Sequence, residues 1–281
     1  MQKPIGIFDS GIGGLTVVKQ LMKLLPEEQL IYFGDTARIP YGTKSKRLIE
    51  QYALEDAAFL LQFDIKLLVV ACNTASSLAM DVLRAQLDIP VVGVVQPGAQ
   101  AAVKITTNKT IGVIGTSATI NSGSYMREIT KLDSRVSVLG QPCPLLVPLV
   151  EEGWLEEEVT ILTLQKYFKD LRKQKIDTLI LGCTHYPLLE KTIRRVVGPE
   201  VNLIDSGKET AKEVRRVLKQ NDLLNLSGKK AGENKYFVSD IPAKFEEIGS
   251  RFLGQPLTGV ERVDFDTFLV KSGLPLVDAQ K

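Results

Sequence analysis

Short apolar runs alternate with longer amphipathic stretches along the chain. The runs at 67–70 and 178–181 are apolar on both faces, which is typical of strands buried in a parallel sheet. The stretches between such runs have the length and the apolar spacing of helices. This rhythm predicts parallel sheets covered by helices, an α/β fold. The predicted strands are residues 4–8, 30–34, 66–71, 91–94, 110–114, 136–139, 178–181, 201–204 and 236–239, and the predicted helices are residues 15–25, 45–61, 75–86, 156–173, 188–197 and 209–220.

The chain also carries a weak internal repeat. The segment IGIFDSG at 5–11 resembles IGVIGTS at 111–117, and VVACNTA at 69–75 resembles LILGCTH at 179–185. Similar lengths of chain separate the two pairs, so we predict two pseudo-symmetric, doubly wound α/β domains with mainly parallel sheets and a crevice between them. We assign residues 1–95 and 207–260 to the first domain, residues 96–206 to the second and residues 261–281 to a C-terminal tail, with residues 94–102 as the crossover.

Composition and charge narrow the possible partners. The 281 residues are 44% hydrophobic and 24% charged, and 35 basic against 33 acidic side chains leave a net charge of only +2, which argues against a nucleic-acid partner. No apolar run near the first residue has the roughly 7–15 residues of a secretion signal, and none approaches the roughly 20 needed to cross a bilayer. We therefore expect a cytoplasmic protein without a membrane partner, whose three cysteines stay reduced.

Polar side chains follow many of the predicted strands. Ligands in open parallel sheets bind beyond the carboxyl ends of the strands, so these residues are expected to meet at one crevice. They are Asp9 and Ser10, Asp35, Cys72 to Thr74, Gly115 and Thr116, and Cys183 to His185.

Two of the cysteines occupy matching positions. Cys72 and Cys183 each follow an apolar strand and precede a predicted helix start, where a helix N-terminus would lower the thiol pKa. We therefore expect two reactive thiols, partly open to the crevice. Two equivalent thiols suit the inversion of a carbon centre, because one removes a proton from one face while the other delivers a proton to the opposite face. Cys143 lacks this setting and is interpreted as structural.

Other residues support or compete with this interpretation. The single histidine, His185, is placed to exchange protons with a thiol, and Glu151 ends another apolar run as a candidate acid. Gly11, Gly13 and Gly14 would let the backbone approach a small carboxylate at a helix start. The cysteines are too far apart in sequence for a zinc motif, and neither C-x-x-C nor G-x-S-x-G is present. A Cys–His pair of the hydrolase type stays open but leaves Cys72 without a role.

Five segments together resemble the glutamate racemases of the aspartate/glutamate racemase family: FDSGIGGLTV, GDTARIPYG, ACNTAS, EEGW and LGCTHYP. The resemblance implies a homodimeric isomerase that interconverts L- and D-glutamate without a cofactor or a metal and supplies D-glutamate for peptidoglycan. It implies that Cys72 takes the proton from D-glutamate and Cys183 from L-glutamate, assisted by Asp9, Glu151 and His185. The implied substrate contacts are Asp9, Ser10, Tyr41, Gly42, Asn73, Thr74, Thr184 and His185, with Thr116 and Thr119 as weaker candidates.

Three other functions remain open at this point. One is a related two-cysteine racemase that acts on aspartate or a hydantoin. Another is a non-catalytic binding protein for an acidic amino acid, which needs the crevice but not the two thiols. The third is the cysteine-dependent hydrolase.

Overall fold

Two parallel sheets form the framework of the chain. A computed structural model describes residues 3–272, and all pairings between its strands are parallel. The strands are β1 (Ile5–Asp9), β2 (Leu30–Gly34), β3 (Leu67–Val70), β4 (Val91–Gly93), β5 (Thr110–Gly115), β6 (Ser137–Pro142), β7 (Thr178–Gly182), β8 (Asn202–Asp205), β9 (Lys235–Val238) and β10 (Val260–Arg262).

Helices cover both sheets. The α-helices are α1 (Leu15–Leu24), α2 (Lys46–Leu61), α3 (Asn73–Leu78), α4 (Met80–Gln86), α5 (Val95–Ile105), α6 (Ser117–Asn121), α7 (Ser124–Leu132), α8 (Leu146–Glu151), α9 (Glu158–Tyr167), α10 (Lys169–Lys173), α11 (Glu190–Val197), α12 (Ser206–Gln220), α13 (Pro242–Leu253) and α14 (Phe265–Ser272). Short 3₁₀ helices span Thr36–Arg38, Tyr41–Thr43 and Tyr186–Leu189. The predicted α/β fold with parallel sheets is confirmed.

The two sheets share one strand order. The six-stranded sheet runs β10-β9-β2-β1-β3-β4 and the four-stranded sheet runs β6-β5-β7-β8, so β5 to β8 repeat the arrangement of β1 to β4. The internal repeat in the sequence therefore corresponds to a repeat in topology. Cys72 follows β3 and Cys183 follows β7, which are equivalent strands.

Burial explains why the predicted strands form. Leu67 and Val69 point into one core cluster, whereas Leu68 and Val70 point into another on the opposite face of the sheet. A strand whose side chains are all apolar can bury them all only in a sheet that is covered by helices on both faces.

Several elements differ from the prediction. The predicted helix 75–86 is broken at Ala79, where φ is −113° and ψ is 0°, and the predicted helix 156–173 is broken at Phe168. The segment 94–102, predicted as a crossover, is mostly inside α5. The Ser76 hydroxyl accepts the backbone N–H of Val94 at 2.9 Å and so ties α3 to the residue that follows β4.

The predicted tail 261–281 begins within β10 and includes α14. Phe265 of α14 is buried and stacks on Phe33 of β2, with 5.0 Å between ring centroids, so burial of aromatic surface holds this segment on the six-stranded sheet. The remainder of the predicted tail, 273–281, lies outside the described residues. The assignment of the chain to two domains with those boundaries stays a prediction.

Candidate active site

A cavity of about 450 Å³ lies where the carboxyl ends of β1, β3, β5 and β7 meet. Parallel sheets bring these ends together, and polar loops follow each of them. The lining includes most of the residues singled out from the sequence: Ser10, Tyr41, Gly42, Cys72, Asn73, Thr74, Thr116, Glu151, Cys183, Thr184 and His185. Four of the residues singled out do not line the cavity although they are buried near it: Asp9, Asp35, Gly115 and Thr119.

Cys72 stands at the N-cap of α3 and is only 5% exposed. Its Sγ donates to the Ser10 hydroxyl at 3.6 Å. Burial raises the pKa of the Cys72 thiol to about 12, and the nearby Asp9 carboxylate adds to the rise. The expected lowering of this pKa by the helix N-terminus was therefore wrong. The backbone N–H of Ala75 does favour the thiolate, but desolvation outweighs it.

Cys183 has a different environment at the equivalent strand end. Its Sγ lies 3.8 Å from Nδ1 of His185, and Nε2 of His185 lies 3.0 Å from a carboxylate oxygen of Glu151. Burial disfavours the imidazolium, but hydrogen bonds to Cys183 and Glu151 reverse the effect and raise the pKa of His185 to about 10. His185 is therefore a cation at neutral pH, held between a thiol and a carboxylate.

Asp9 lies beneath the cavity rather than in its wall. Its carboxylate accepts the backbone N–H groups of Gly11 at 3.2 Å and Gly14 at 3.0 Å. Burial raises the pKa of Asp9 above its ordinary value, although His185 and these N–H groups oppose the rise. The glycine-rich loop was expected to offer N–H groups to a bound carboxylate, but two of them are taken by Asp9.

The absence of a side chain at Gly13 allows two loops, one from each half of the fold, to pack closely. A Cβ atom built on Gly13 would lie 2.2 Å from Oγ1 of Thr184 and 2.5 Å from Nδ1 of His185. The hydroxyl of Thr16, one turn further along, lies 2.9 Å from the Thr184 carbonyl and can donate to it. The loop after β1 therefore packs directly against the loop that carries Cys183 and His185.

Asn73 presents an unsatisfied donor. Its Oδ1 accepts the Tyr125 hydroxyl at 2.7 Å, while its Nδ2 has no hydrogen-bond partner among the described residues although Asn73 is only 3% exposed. A buried amide donor that lines a cavity is suited to a ligand oxygen, because an unpaired buried donor otherwise costs free energy.

Three hydroxyl groups bridge the sheets beside Asn73. Thr74 Oγ1 lies 2.9 Å from Thr116 Oγ1, which lies 3.0 Å from Thr119 Oγ1. A Cβ built on Gly42 would lie 2.8 Å from Cβ of Thr116, so the absence of a side chain allows the Tyr41–Thr43 turn to pack here. These groups form a polar wall between the two halves of the fold.

Tyr41 contributes less of its side chain to the cavity than the sequence suggested. Its hydroxyl is shared between the carboxylates of Asp35 and Asp56, at 2.5 and 3.0 Å, and the side chain is buried. Arg38 binds the same two carboxylates and that of Glu55. This network fixes the 3₁₀ turn at the cavity wall. It was missed because Glu55 and Asp56, within an amphipathic helix, have the sequence pattern of surface acids.

The cavity also has an apolar side that the sequence did not reveal. Nine residues with aliphatic, proline or phenylalanine side chains line it: Ile12, Ile39, Pro40, Pro144, Val147, Pro148, Ile241, Phe245 and Ile248. Lys244 joins them and acts electrostatically on Glu151. α13 makes two further contacts near the site, since Phe252 packs edge-on against His185 at 5.1 Å and the Arg251 guanidinium donates to the Glu151 carbonyl at 3.1 Å.

The geometry weighs against two alternative sites. The Ser10 hydroxyl is next to Cys72, whereas the ring nitrogens of His185 face Cys183, Thr184 and Glu151, so a Ser-His-Asp arrangement is not assembled. Among residues 3–272, no three His, Cys, Asp or Glu side chains are grouped so that they could hold a metal ion. Over the same part of the chain, no helix has the length and hydropathy to cross a membrane.

A pair of thiols in one crevice between repeated parallel sheets defines the class of protein. The chain belongs to the Asp/Glu/Hydantoin racemase family, whose model matches residues 13–214. Glutamate racemases are among the proteins it resembles. That of Geobacter metallireducens is 52% identical over 264 residues, covering 94% of this chain and 97% of that one. That of Neisseria meningitidis serogroup B is 51% identical over 263 residues, covering 93% and 97%.

Solved structures agree with the sequence relatives. The glutamate racemase isoform RacE1 of Bacillus anthracis superposes with a TM-score of 0.89 at 40% identity and covers 93% of this chain and 97% of its own. The glutamate racemase of Francisella tularensis, solved in complex with D-glutamate, gives 0.88 at 41% identity with 95% and 99% covered. The predicted resemblance and the assignment to the amino-acid racemases, which are isomerases, are confirmed.

Proposed function

We propose that this protein interconverts L- and D-glutamate by a two-base mechanism in which Cys72 and Cys183 act on opposite faces of Cα. One observation carries the proposal: two thiols at equivalent strand ends line a single cavity. The relatives named above are glutamate racemases, and one of them was solved with D-glutamate bound, which supports glutamate as the substrate.

The proton inventory of the site supports opposite roles for the thiols. With a pKa of about 12, Cys72 is a protonated thiol at neutral pH and is ready to deliver a proton. Cys183 faces the His185 imidazolium, which stabilises negative charge on Sγ and suits this sulfur to remove a proton. The Cα–H bond breaks as an S–H bond forms on Cys183, and Cys72 gives its proton to the other face of the carbanion.

The two thiols exchange roles between the two directions of the reaction. In the conversion of L- to D-glutamate, Cys183 faces the hydrogen of L-glutamate and takes it, which is the role that the family resemblance implies. After that turnover Cys72 is the thiolate and Cys183 the thiol, which is the state that accepts D-glutamate. Proton transfer through His185 and solvent restores the first state.

Carbanion formation without an electron sink needs fixed dipoles in a water-poor site. The Asn73 amide can donate to a substrate carboxylate, and the hydroxyls of Thr74 and Thr116 can donate to the enolate-like oxygen that develops as the proton leaves. Both thiols are nearly buried, at 5% and 6% exposure, which strengthens these interactions. We therefore assign substrate binding to these side chains, together with Ser10, Thr184 and the Tyr41–Thr43 turn.

We further propose that the enzyme is a cytoplasmic homodimer that supplies D-glutamate for peptidoglycan. The family resemblance supports the assignment to cell-wall synthesis and the dimer. All three cysteines are free in the structure, which agrees with a reducing compartment such as the cytoplasm.

The test is incubation of the purified protein in D₂O, without added cofactor, with L-glutamate or L-aspartate. Optical rotation reports racemisation, and mass spectrometry reports deuterium at Cα. We expect L-glutamate to racemise with one deuterium incorporated per inversion, and Cys72→Ala and Cys183→Ala each to abolish it. Racemisation of aspartate alone would overturn the substrate, and full activity in either variant would overturn the two-base mechanism. Cys143→Ala is the matched control, because this thiol does not line the cavity.

A further inference from the structure

Tyr125 joins the two halves of the fold at the active site. It belongs to α7, beside the four-stranded sheet, and its hydroxyl donates to Oδ1 of Asn73, in α3 beside the six-stranded sheet, at 2.7 Å. Tyr125 is 3% exposed and does not line the cavity, so it does not touch a ligand there.

In this structure the hydrogen bond is made by Oδ1 of Asn73, which leaves the amide in one of its two orientations. An amide side chain has one accepting oxygen and one donating nitrogen, and a rotation of 180° about its last bond exchanges them. With Oδ1 held by the Tyr125 hydroxyl, Nδ2 is the remaining polar atom. That nitrogen is buried and has no partner among the described residues.

The two orientations have opposite consequences for an anionic substrate. Nδ2 presented to the cavity donates to a carboxylate, whereas Oδ1 in the same place would bring an oxygen dipole against the negative charge. Loss of the tyrosine hydroxyl removes the partner of Oδ1, so the amide can rotate and the donor becomes available only part of the time. A binding group that is competent for a fraction of the time weakens apparent affinity by that fraction.

We propose that Tyr125 is a positioning residue that fixes the amide of Asn73 so that its N–H₂ group faces the substrate carboxylate. The proposal rests on the racemase function proposed above, and it extends the binding machinery to a helix of the opposite half. The Tyr125 hydroxyl also lies against Ser206, but Tyr125 does not line the cavity, so its effect on the substrate passes through Asn73 and requires the amide to be present.

The experiment is a double-mutant cycle on the full-length enzyme. Tyr125→Phe removes one oxygen and keeps the ring in its buried place. We expect KM for L-glutamate to rise about 3- to 10-fold, the loss of one neutral hydrogen bond, with kcat changed less than twofold. Asn73→Ala should raise KM at least as much. The Asn73→Ala/Tyr125→Phe double variant should match Asn73→Ala alone, because nothing remains for the hydroxyl to orient.

The double-mutant cycle would give a different result if the Tyr125 hydroxyl had only a structural role. If it only stabilised the fold, Tyr125→Phe would cost the same with or without the Asn73 amide, and an additive cycle overturns the proposal. Unchanged KM in Tyr125→Phe also overturns it. Tyr125→Leu, which lacks the hydroxyl as well, must show the same dependence on Asn73. The control is Tyr236→Phe. Tyr236 lies in β9, outside the cavity, and its hydroxyl contacts Met22 Sδ at 3.9 Å.

A binding measurement separates this inference from the proposed function. Calorimetry with D-glutamate reports the same cycle as changes in Kd, without any turnover. If the wild type binds D-glutamate but does not racemise it, the proposed function fails while the cycle still decides the role of Tyr125. If the wild type racemises glutamate and the cycle is additive, the function stands and the positioning role is rejected.

Discussion

Replacing Gly13 by alanine should damage catalysis much more than folding. The added Cβ would lie 2.2 Å from Oγ1 of Thr184 and 2.5 Å from Nδ1 of His185, whereas an ordinary contact is about 3.4 Å or more. The Thr184 hydroxyl can rotate aside. The imidazole cannot, because Glu151 holds its other nitrogen at 3.0 Å and Phe252 packs on its edge. The ring and the loop after β1 must therefore separate by about 1 Å.

The size of the effect follows from that displacement. Overpacking of this kind costs about 1–3 kcal/mol of stability, and a 1 Å misplacement of a catalytic group costs about a hundredfold in rate. We expect kcat for L-glutamate to fall about a hundredfold while urea unfolding shows a folded protein with a modestly lowered midpoint. Gly13 is not at a positive φ, so alanine adds no backbone strain and the clash is the whole perturbation.

The matched control lies two residues away. A Cβ on Gly11 meets only Ile39 Cγ2, at 3.3 Å, so Gly11→Ala should retain activity within a few-fold of the wild type. Optical rotation with L-glutamate, followed in both variants at equal folded concentration, measures the difference. Activity of Gly13→Ala equal to that of Gly11→Ala would refute the reasoning, because it would mean that the imidazole position is not critical.

Four further results are expected. Glu151→Gln should lower the pKa of His185 from about 10, so the alkaline loss of L-glutamate turnover moves to lower pH in a kcat/KM profile; an unmoved profile would contradict the pairing. Because the folded pKa of His185 exceeds the unfolded 6.5, its contribution to stability is complete below pH 6.5 and declines as pH rises towards 10, which urea titrations at several pH values would detect. At pH 8, Cys72, with its pKa of about 12, should react with iodoacetamide at least about tenfold more slowly than free cysteine, and an equal rate in peptide mass spectra would refute the burial argument. Lys66→Met should destabilise the fold by about 3–5 kcal/mol by stranding the buried Glu28 carboxylate, and adding Glu28→Gln should recover most of it.

The hydrophobic pattern of the sequence alone predicted the framework of parallel sheets and the position of the site. Strands such as β3 and β7 are apolar at every residue, so burial on both faces leaves a parallel sheet as the consistent arrangement. The polar residues that follow them then had to meet at the carboxyl edge. Cys72 and Cys183 were found because their local sequences repeat.

What the sequence did not reveal depends on contacts between distant segments. The pKa of Cys72 was expected to be lowered, because a helix start is visible in sequence while the depth of burial is not. Tyr125, Arg251 and Phe252 act at the site from helices with ordinary amphipathic patterns, and no local signal marks them. The same holds for Asp56, whose partners Arg38 and Tyr41 lie in a 3₁₀ segment at the cavity wall.

The order of strands in the larger sheet has a consequence for synthesis on the ribosome. β2 pairs on one side with β1 and on the other with β9, which begins at Lys235, long after β5 to β8 have been made. The smaller sheet can therefore close while the nascent larger sheet still presents β2 as an open edge of unpaired N–H and C=O groups. Such an edge is a template for pairing with another chain. A nascent chain stalled before β9 therefore exposes the edge of β2, and it is the species whose aggregation a chaperone would prevent.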